Sequence, residues 1–153
     1  ALFASKNAGI EVPDEAIAKG KQFLLDCQDE KGGFGYTGNS GANLPRTAIG
    51  SLILSLDKDT DSKPFESSLE YLRKNARFGD QGHKFYSLYY TAQAMFRTSP
   101  EDWNTWNLAN VRQLQATQSE SGSWTGNYGT TFATSAALLS MALNYRYLPI
   151  YER

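Results

Sequence analysis

Apolar residues recur at helical spacing through most of the chain, and the breaks between them carry turn and cap residues. Residues 1–8 read as the tail of a helix, stopped by Gly9. Val12-Pro13-Asp14 opens the next helix, with Asp14 predicted as its N-cap and Ile17, Gly20, Phe23, Leu24 and Cys27 on one face. After a glycine-rich loop, Pro45 suits a first helical turn, and Thr47 through Leu56 is apolar around much of its circumference, the pattern of a helix covered on several sides. A polar linker, Asp57 to Lys63, precedes a helix from Pro64 with Phe65, Leu69, Leu72 and Ala76 on one face. Gly79 and Gly82 bound the next loop, and residues 83–97 carry Phe85, Leu88, Tyr89, Ala92, Met95 and Phe96. Ser99 then reads as an N-cap with Pro100 at the first helical position, followed by Trp103, Trp106, Val111 and Leu114. The last helix, about Thr130 to Tyr145, is again small and apolar, with Phe132, Ala133, Ala136, Leu139 and Leu143, and Pro149 ends it. No strand alternation of any length interrupts this pattern. The prediction is an all-α chain of three helical hairpins, at about 14–57, 64–97 and 101–145, in a single domain.

One short pattern occurs twice. Gln118-Ser119-Glu120-Ser121-Gly122-Ser123-Trp124 repeats Gln28-Asp29-Glu30-Lys31-Gly32-Gly33-Phe34 at a distance of 90 residues. In each copy a Gln closes an apolar helical run, a Gly falls four residues later and a large aromatic six residues later. Such self-similarity marks a stacked or circular helical array. The chemistry of the positions fits a helix exit. Gln can bond backbone groups left open at a helix end, Gly permits a left-handed turn, and the aromatic folds back over that turn. Thr47-Ala48, Thr91-Ala92 and Ser135-Ala136 keep a common place in the second helix of each hairpin, while the middle hairpin lacks the Gln and the aromatic.

Residues Gln28, Gly32 and Phe34, and again Gln118, Gly122 and Trp124, resemble the QW-type repeat of the squalene and terpenoid cyclases and of protein prenyltransferase β subunits. The resemblance spans most of the chain. It implies an α/α toroid, with inner and outer helices around an apolar cavity for isoprenoid-type ligands, of which this chain would be a part. The cyclases of that family use an Asp-x-Asp-Asp acid, which is missing here, and the prenyltransferases a zinc site. Asp26 and Cys27 are adjacent rather than spaced by one, and His83 is the sole histidine, so the zinc ligands are not assembled. The resemblance therefore implies a cavity segment whose catalytic motif lies elsewhere. The competing expectation is a non-catalytic helical-repeat binding or scaffold module.

Composition narrows the classes further. A chain of 153 residues can bury one core, and its net charge of −1 gives no pull toward nucleic acid. One cysteine excludes an internal disulfide, and no apolar run is long enough for a membrane span. No signal-peptide pattern is present, and Ala1-Leu2-Phe3-Ala4 reads as a helix already under way, as in a piece of a longer chain. Apolar faces left open at the first and last hairpins would favour a homo-oligomer, through 1–8 or the final helix with Tyr145, Tyr147 and Tyr151, or else the missing remainder of the ring.

Aromatic content is high, at 13%. Phe85, Tyr86, Tyr89 and Tyr90 crowd one helix, with Gln93 a turn further on. Phe85 and Tyr89 suit the core, and Tyr86, Tyr90 and Gln93 a ligand wall. Arg46, at a helix start beside a glycine-rich loop, is the candidate contact for an anionic head group. Small residues at Thr47, Ala48, Gly50, Ser51, Thr134 and Ser135 would leave room for a guest or let helices approach closely. The Asp57-Lys58-Asp59-Thr60-Asp61 cluster lacks the Gly and Glu of a calcium loop and reads as solvated turn charge. Neither a cofactor nor a metal site is expected.

Overall fold

The computed structural model describes residues 1–76 and 83–145. Among them every named element is helical. In order these are α1 (Leu2–Asn7), α2 (Asp14–Asp26), α3 (Leu44–Leu56), α4 (Lys63–Asn75), α5 (Lys84–Phe96), α6 (Pro100–Thr117) and α7 (Thr130–Ala142), with a short 3-10 turn at Leu143–Tyr145. Gly79, Gly82, Tyr147, Pro149 and Tyr151, to which the sequence gives roles, lie outside the described residues.

The caps follow local chemistry, with one correction. Asn43 caps α3 by accepting from the Arg46 amide, with Pro45 in the first turn. Ser99 caps α6 by accepting from the Asp102 amide, with Pro100 at the first position. Asp14 is not an N-cap. It is the first residue of α2, whose cap position is held by Pro13 with no side-chain bond, and its carboxylate pairs with Lys6 at 2.8 Å instead. The Lys6 partner holds the Asp14 carboxyl below its ordinary range.

The chain falls into two compact units, Ala1–Tyr71 and Leu72–Arg153. In the first, α2 packs on α3, and Cys27, Phe34, Ala48, Leu52 and Leu54 are buried. The α3 pattern of apolar residues on all sides is matched, since no α3 residue is exposed. The predicted apolar face of α2 is only partly covered: Cys27 is buried, whereas Phe23 is 57% exposed and Gly20 is open. In the second unit α5 packs mainly on α7, and α6 touches both. Phe96 meets Trp103 edge-on, Trp103 stacks with Trp106, and the Trp103 indole donates to Asn144 at 2.9 Å, tying α6 to the turn after α7. Of the apolar residues of α7 and the turn after it, Ala133, Ala136 and Leu143 are buried, whereas Phe132 and Leu139 are exposed. The buried residues of α7 are small, so its bulky side chains turn outward.

Candidate functional site

The two motif loops are copies at the level of single hydrogen bonds. Asp29 donates its amide to the Gly33 carbonyl, and Ser119 donates to Ser123. Gly32 donates to the Asp29 carbonyl, and Gly122 to Ser119. The amide side chain of Gln28 donates to the Gly32 carbonyl, and that of Gln118 to the Gly122 carbonyl, at 3.2 and 2.7 Å. Gly32 and Gly122 have φ of +84° and +80°, the left-handed region that the turn demands and that favours glycine. The residue after each Gln closes the loop with its side chain: the Asp29 carboxylate accepts from Gly33, and the Ser119 hydroxyl accepts from Ser123. A single bridge between Gln28 and Phe34 is the only β-type pairing among the described residues.

Each loop is then locked to the helix that follows it by a threonine. The Phe34 amide donates to the Thr47 hydroxyl at 3.0 Å, and the Trp124 amide to the Thr134 hydroxyl at 3.1 Å. The structural register therefore equates Thr134, not Ser135, with Thr47. The first loop is longer, which shifts the spacing from 10 to 13 residues and hides the match from a fixed-period reading. A Cβ on Gly50 would lie 2.6 Å from the Phe34 ring, so the small residue in α3 makes room for the motif aromatic rather than for a guest. Phe34 and Trp124 are both buried, and the Trp124 indole donates to the Leu114 carbonyl at 2.9 Å.

The two copies differ in one respect. The Gln28 amide also donates to the Pro64 carbonyl at 2.8 Å and to the Ser67 hydroxyl at 3.3 Å, in the first turns of α4. Gln118 is exposed, and among the described residues it bonds only its own loop.

The predicted ligand residues are distributed over both units. Arg46 and Thr47 belong to the first. The Arg46 guanidinium donates to the Gly41 carbonyl and lies 5.9 Å from the centre of the exposed Tyr36 ring, while its Nε is buried without a partner. Thr47 is fully buried, and its hydroxyl also donates to the Asn43 carbonyl. Thr47 and Thr134 are thus occupied in holding the loops. Gln93 is buried in α5.

Tyr86 and Tyr90 lie together in the second unit, in a longer run of rings than the sequence revealed. Tyr89 meets Tyr90 edge-on at 5.0 Å, and Tyr90 meets Tyr86 at the same separation. Tyr86 faces the edge of His83 at 6.5 Å, His83 stacks on Tyr128 at 5.8 Å, and Tyr128 meets Phe132 at 5.3 Å. The Tyr128 hydroxyl and His83 Nδ1 are 2.6 Å apart. Phe85 is buried, as predicted, but Tyr89 is half-exposed and belongs to the ladder, as do the exposed Tyr128 and Phe132. Burial is the main cause that raises the Tyr90 phenol above its ordinary value, with Tyr86 and Tyr89 adding to it. Tyr128 and Phe132 lie far from Tyr86 in sequence, so only the α5–α7 packing brings them to it.

The remaining chemistry-bearing groups are engaged locally. Asp57 and Asp59 both pair with Lys21, at 2.7 and 2.8 Å. Those partners raise the Lys21 ammonium, and Lys21 in turn holds Asp59 low. Cys27 is a free, buried thiol. No grouping of three or more His, Cys, Asp and Glu able to hold a metal occurs among the described residues, and no described helix is long and apolar enough to cross a membrane. No family model, no curated protein and no solved structure matches this chain.

Proposed function

We propose that this chain is a helical-repeat binding module of the cyclase and prenyltransferase repeat type, part of a toroid, that holds an extended apolar ligand of isoprenoid type without transforming it. The observation that carries the ligand reading is the aromatic ladder from Tyr89 to Phe132. Its faces offer apolar, polarisable surface, and its edges carry phenols and an imidazole. The duplicated motif loop supports the repeat reading. Among the described residues no arginine stands in the ladder, and the Arg46 guanidinium has its own acceptor in the other unit. A neutral isoprenoid alcohol or hydrocarbon therefore suits the ladder better than a diphosphate. Covering about four methyl or methylene groups contributes roughly 3 kcal/mol before ordering costs, so affinity for this segment alone is about millimolar or weaker.

The test is a fluorescence titration of farnesol and of farnesyl diphosphate against wild type, Tyr90→Ala, Tyr86→Ala and Arg46→Ala. The ladder variants should lose the farnesol response, and Arg46→Ala should titrate like wild type. If Tyr90→Ala also titrates like wild type, or nothing responds, the ligand reading fails and the scaffold reading stands. That second reading is favoured by one observation of its own, the exposed Leu138 and Leu139 on α7.

A further inference from the structure

The second unit holds a cavity that shares no residue with the aromatic ladder. It lies among the end of α4, the end of α5 and the first half of α6, and its volume is about 440 Å³. That is within the roughly 300–1,000 Å³ usual for small-molecule sites. Glu101, Thr105 and Ala109 follow one another at four-residue spacing, as do Asp102 and Trp106, so one broad face of α6 lines it. The apolar lining is Met95 and Trp106, both buried, with Ala76 and Ala109, whose methyl groups are too short to fill the space. Trp106 stacks on Trp103, which holds its ring in place.

The polar groups around this cavity divide into spent and unspent. Arg73 and Asp102 are forked together: the guanidinium Nε donates to both carboxylate oxygens, at 3.2 and 3.1 Å, and a terminal nitrogen donates at 2.7 Å. Their charges cancel. The Glu101 carboxylate makes no ion pair or hydrogen bond among the described residues, and neither does the Thr105 hydroxyl one turn further on. Both are exposed. What remains for a guest is one net negative charge and a hydroxyl beside apolar surface. A carboxylate only accepts hydrogen bonds, so its complement is a cation that donates them. The partial positive charge at the start of α6 does not reverse this sign, because the Ser99 cap and the two acids of the first turn already answer it.

We infer that this cavity binds a small amine with a hydrocarbon body, an alkylammonium or arylalkylammonium cation. The ammonium lies against the Glu101 carboxylate and donates to the Thr105 hydroxyl. The hydrocarbon part covers the indole, the thioether and the two methyl groups, a lining that suits a ring or a short chain better than a polar body. An anionic guest would face Glu101 and find the Arg73 guanidinium already neutralised. A neutral guest of the same shape would keep the apolar contact and lose the ion pair. This site is independent of the ligand reading of the ladder, and either can fail without the other.

Residue-resolved NMR of the full chain tests this, with phenethylamine as the probe and phenylacetate and phenethyl alcohol as its anionic and neutral counterparts. Phenethylamine should shift Glu101, Thr105, Ala109 and the Met95 methyl together, with one midpoint at about millimolar. Glu101→Gln should weaken it about two- to fivefold, the range of an exposed ion pair, and bring it level with phenethyl alcohol. Added salt should weaken binding to wild type and leave the variant unmoved. Ala109→Trp, which fills the cavity from an exposed position, should abolish the response. The amide spectrum of each variant verifies its fold. Phenylacetate bound as well as the amine, a folded Glu101→Gln that titrates like wild type, or a folded Ala109→Trp that still binds overturns the proposal. So do shifts centred on Tyr86 and Tyr90, or no saturable response up to about fifty times the expected midpoint.

Discussion

Replacing Gly32 and Gly122 by alanine, one at a time, separates what a motif loop needs from what its contact with a neighbouring helix adds. Both glycines sit at nearly the same positive φ, +84° and +80°, so both substitutions place an L side chain in the left-handed region at about 1–2 kcal/mol. Restricting the unfolded chain offsets about 0.4–1 kcal/mol of that in both. The net cost of the turn is then about 1 kcal/mol in each. Gly32→Ala meets a second penalty, since its methyl would overlap the Ser67 backbone carbonyl, which belongs to a helix and cannot swing aside. Relieving the overlap pushes α4 away, at the roughly 1–3 kcal/mol of an overpacked site. It also stretches the Gln28 to Pro64 bond, worth about 1 kcal/mol. Gly122→Ala meets open space. The expected losses are about 1 kcal/mol for Gly122→Ala and about 3–5 kcal/mol for Gly32→Ala. Equilibrium urea unfolding of dilute protein, with the slope checked against wild type, reads this difference directly. Losses equal to within about half a kcal/mol would refute the reasoning, because the two loops would then differ in no way that the fold feels.

Three further outcomes follow from the same geometry. Trp124→Ala removes a buried ring and leaves the Leu114 carbonyl without its indole donor, so it should destabilise by about 3–5 kcal/mol in thermal or urea unfolding; a loss under half a kcal/mol would contradict its burial. Thr47→Val keeps the shape but orphans the buried Phe34 amide, for about 1–3 kcal/mol, and Thr134→Val should behave alike because the Trp124 amide has the same partner. Asp102 is held below its ordinary value of 3.8 chiefly by the Arg73 hydrogen bonds, with Ser99 assisting. Its contribution is therefore complete above that ordinary value and is lost as pH falls through the lower folded value. Both side chains are partly exposed, so Asp102→Asn should cost at most about 1 kcal/mol at neutral pH, and the gap to wild type should vanish in acid; a gap that persists there would place the effect elsewhere.

The helices were legible because their signals are local. Ser99-Pro100, Pro45 and the apolar run from Thr47 to Leu56 each carry cap or burial information within one or two turns, although the Asn43 cap of α3 was not foreseen. Asp14 misled because the carboxylate had a better partner in Lys6, which only the packing of α1 supplies. The motif loops were recognisable as a repeat, and Gln28 does reach a neighbouring helix, the start of α4, but among the described residues Gln118 reaches only its own loop. A helix start near Gln28 is a tertiary fact that spacing alone does not contain. Thr47 and Thr134 read as small residues beside a cavity. They are acceptors for loop amides, a role that the unequal loop lengths concealed. On α7 the small, apolar character was evident but not which face is covered: Ala133, Ala136 and Ala137 are buried, and Phe132 and Leu139 are left exposed. Half of the ladder was visible in Tyr86 and Tyr90, which share a helix face. The other half, Tyr128 and Phe132, joins only through His83 and the fold.

The most direct test of the binding account is residue-resolved NMR of the full chain titrated with farnesol. The account predicts that shifts concentrate on Tyr86, Tyr89, Tyr90, His83, Tyr128 and Phe132, saturate together with one midpoint, and leave Arg46 and Thr47 unmoved. Shifts centred on Arg46 and Thr47, or none at saturating ligand, would contradict it.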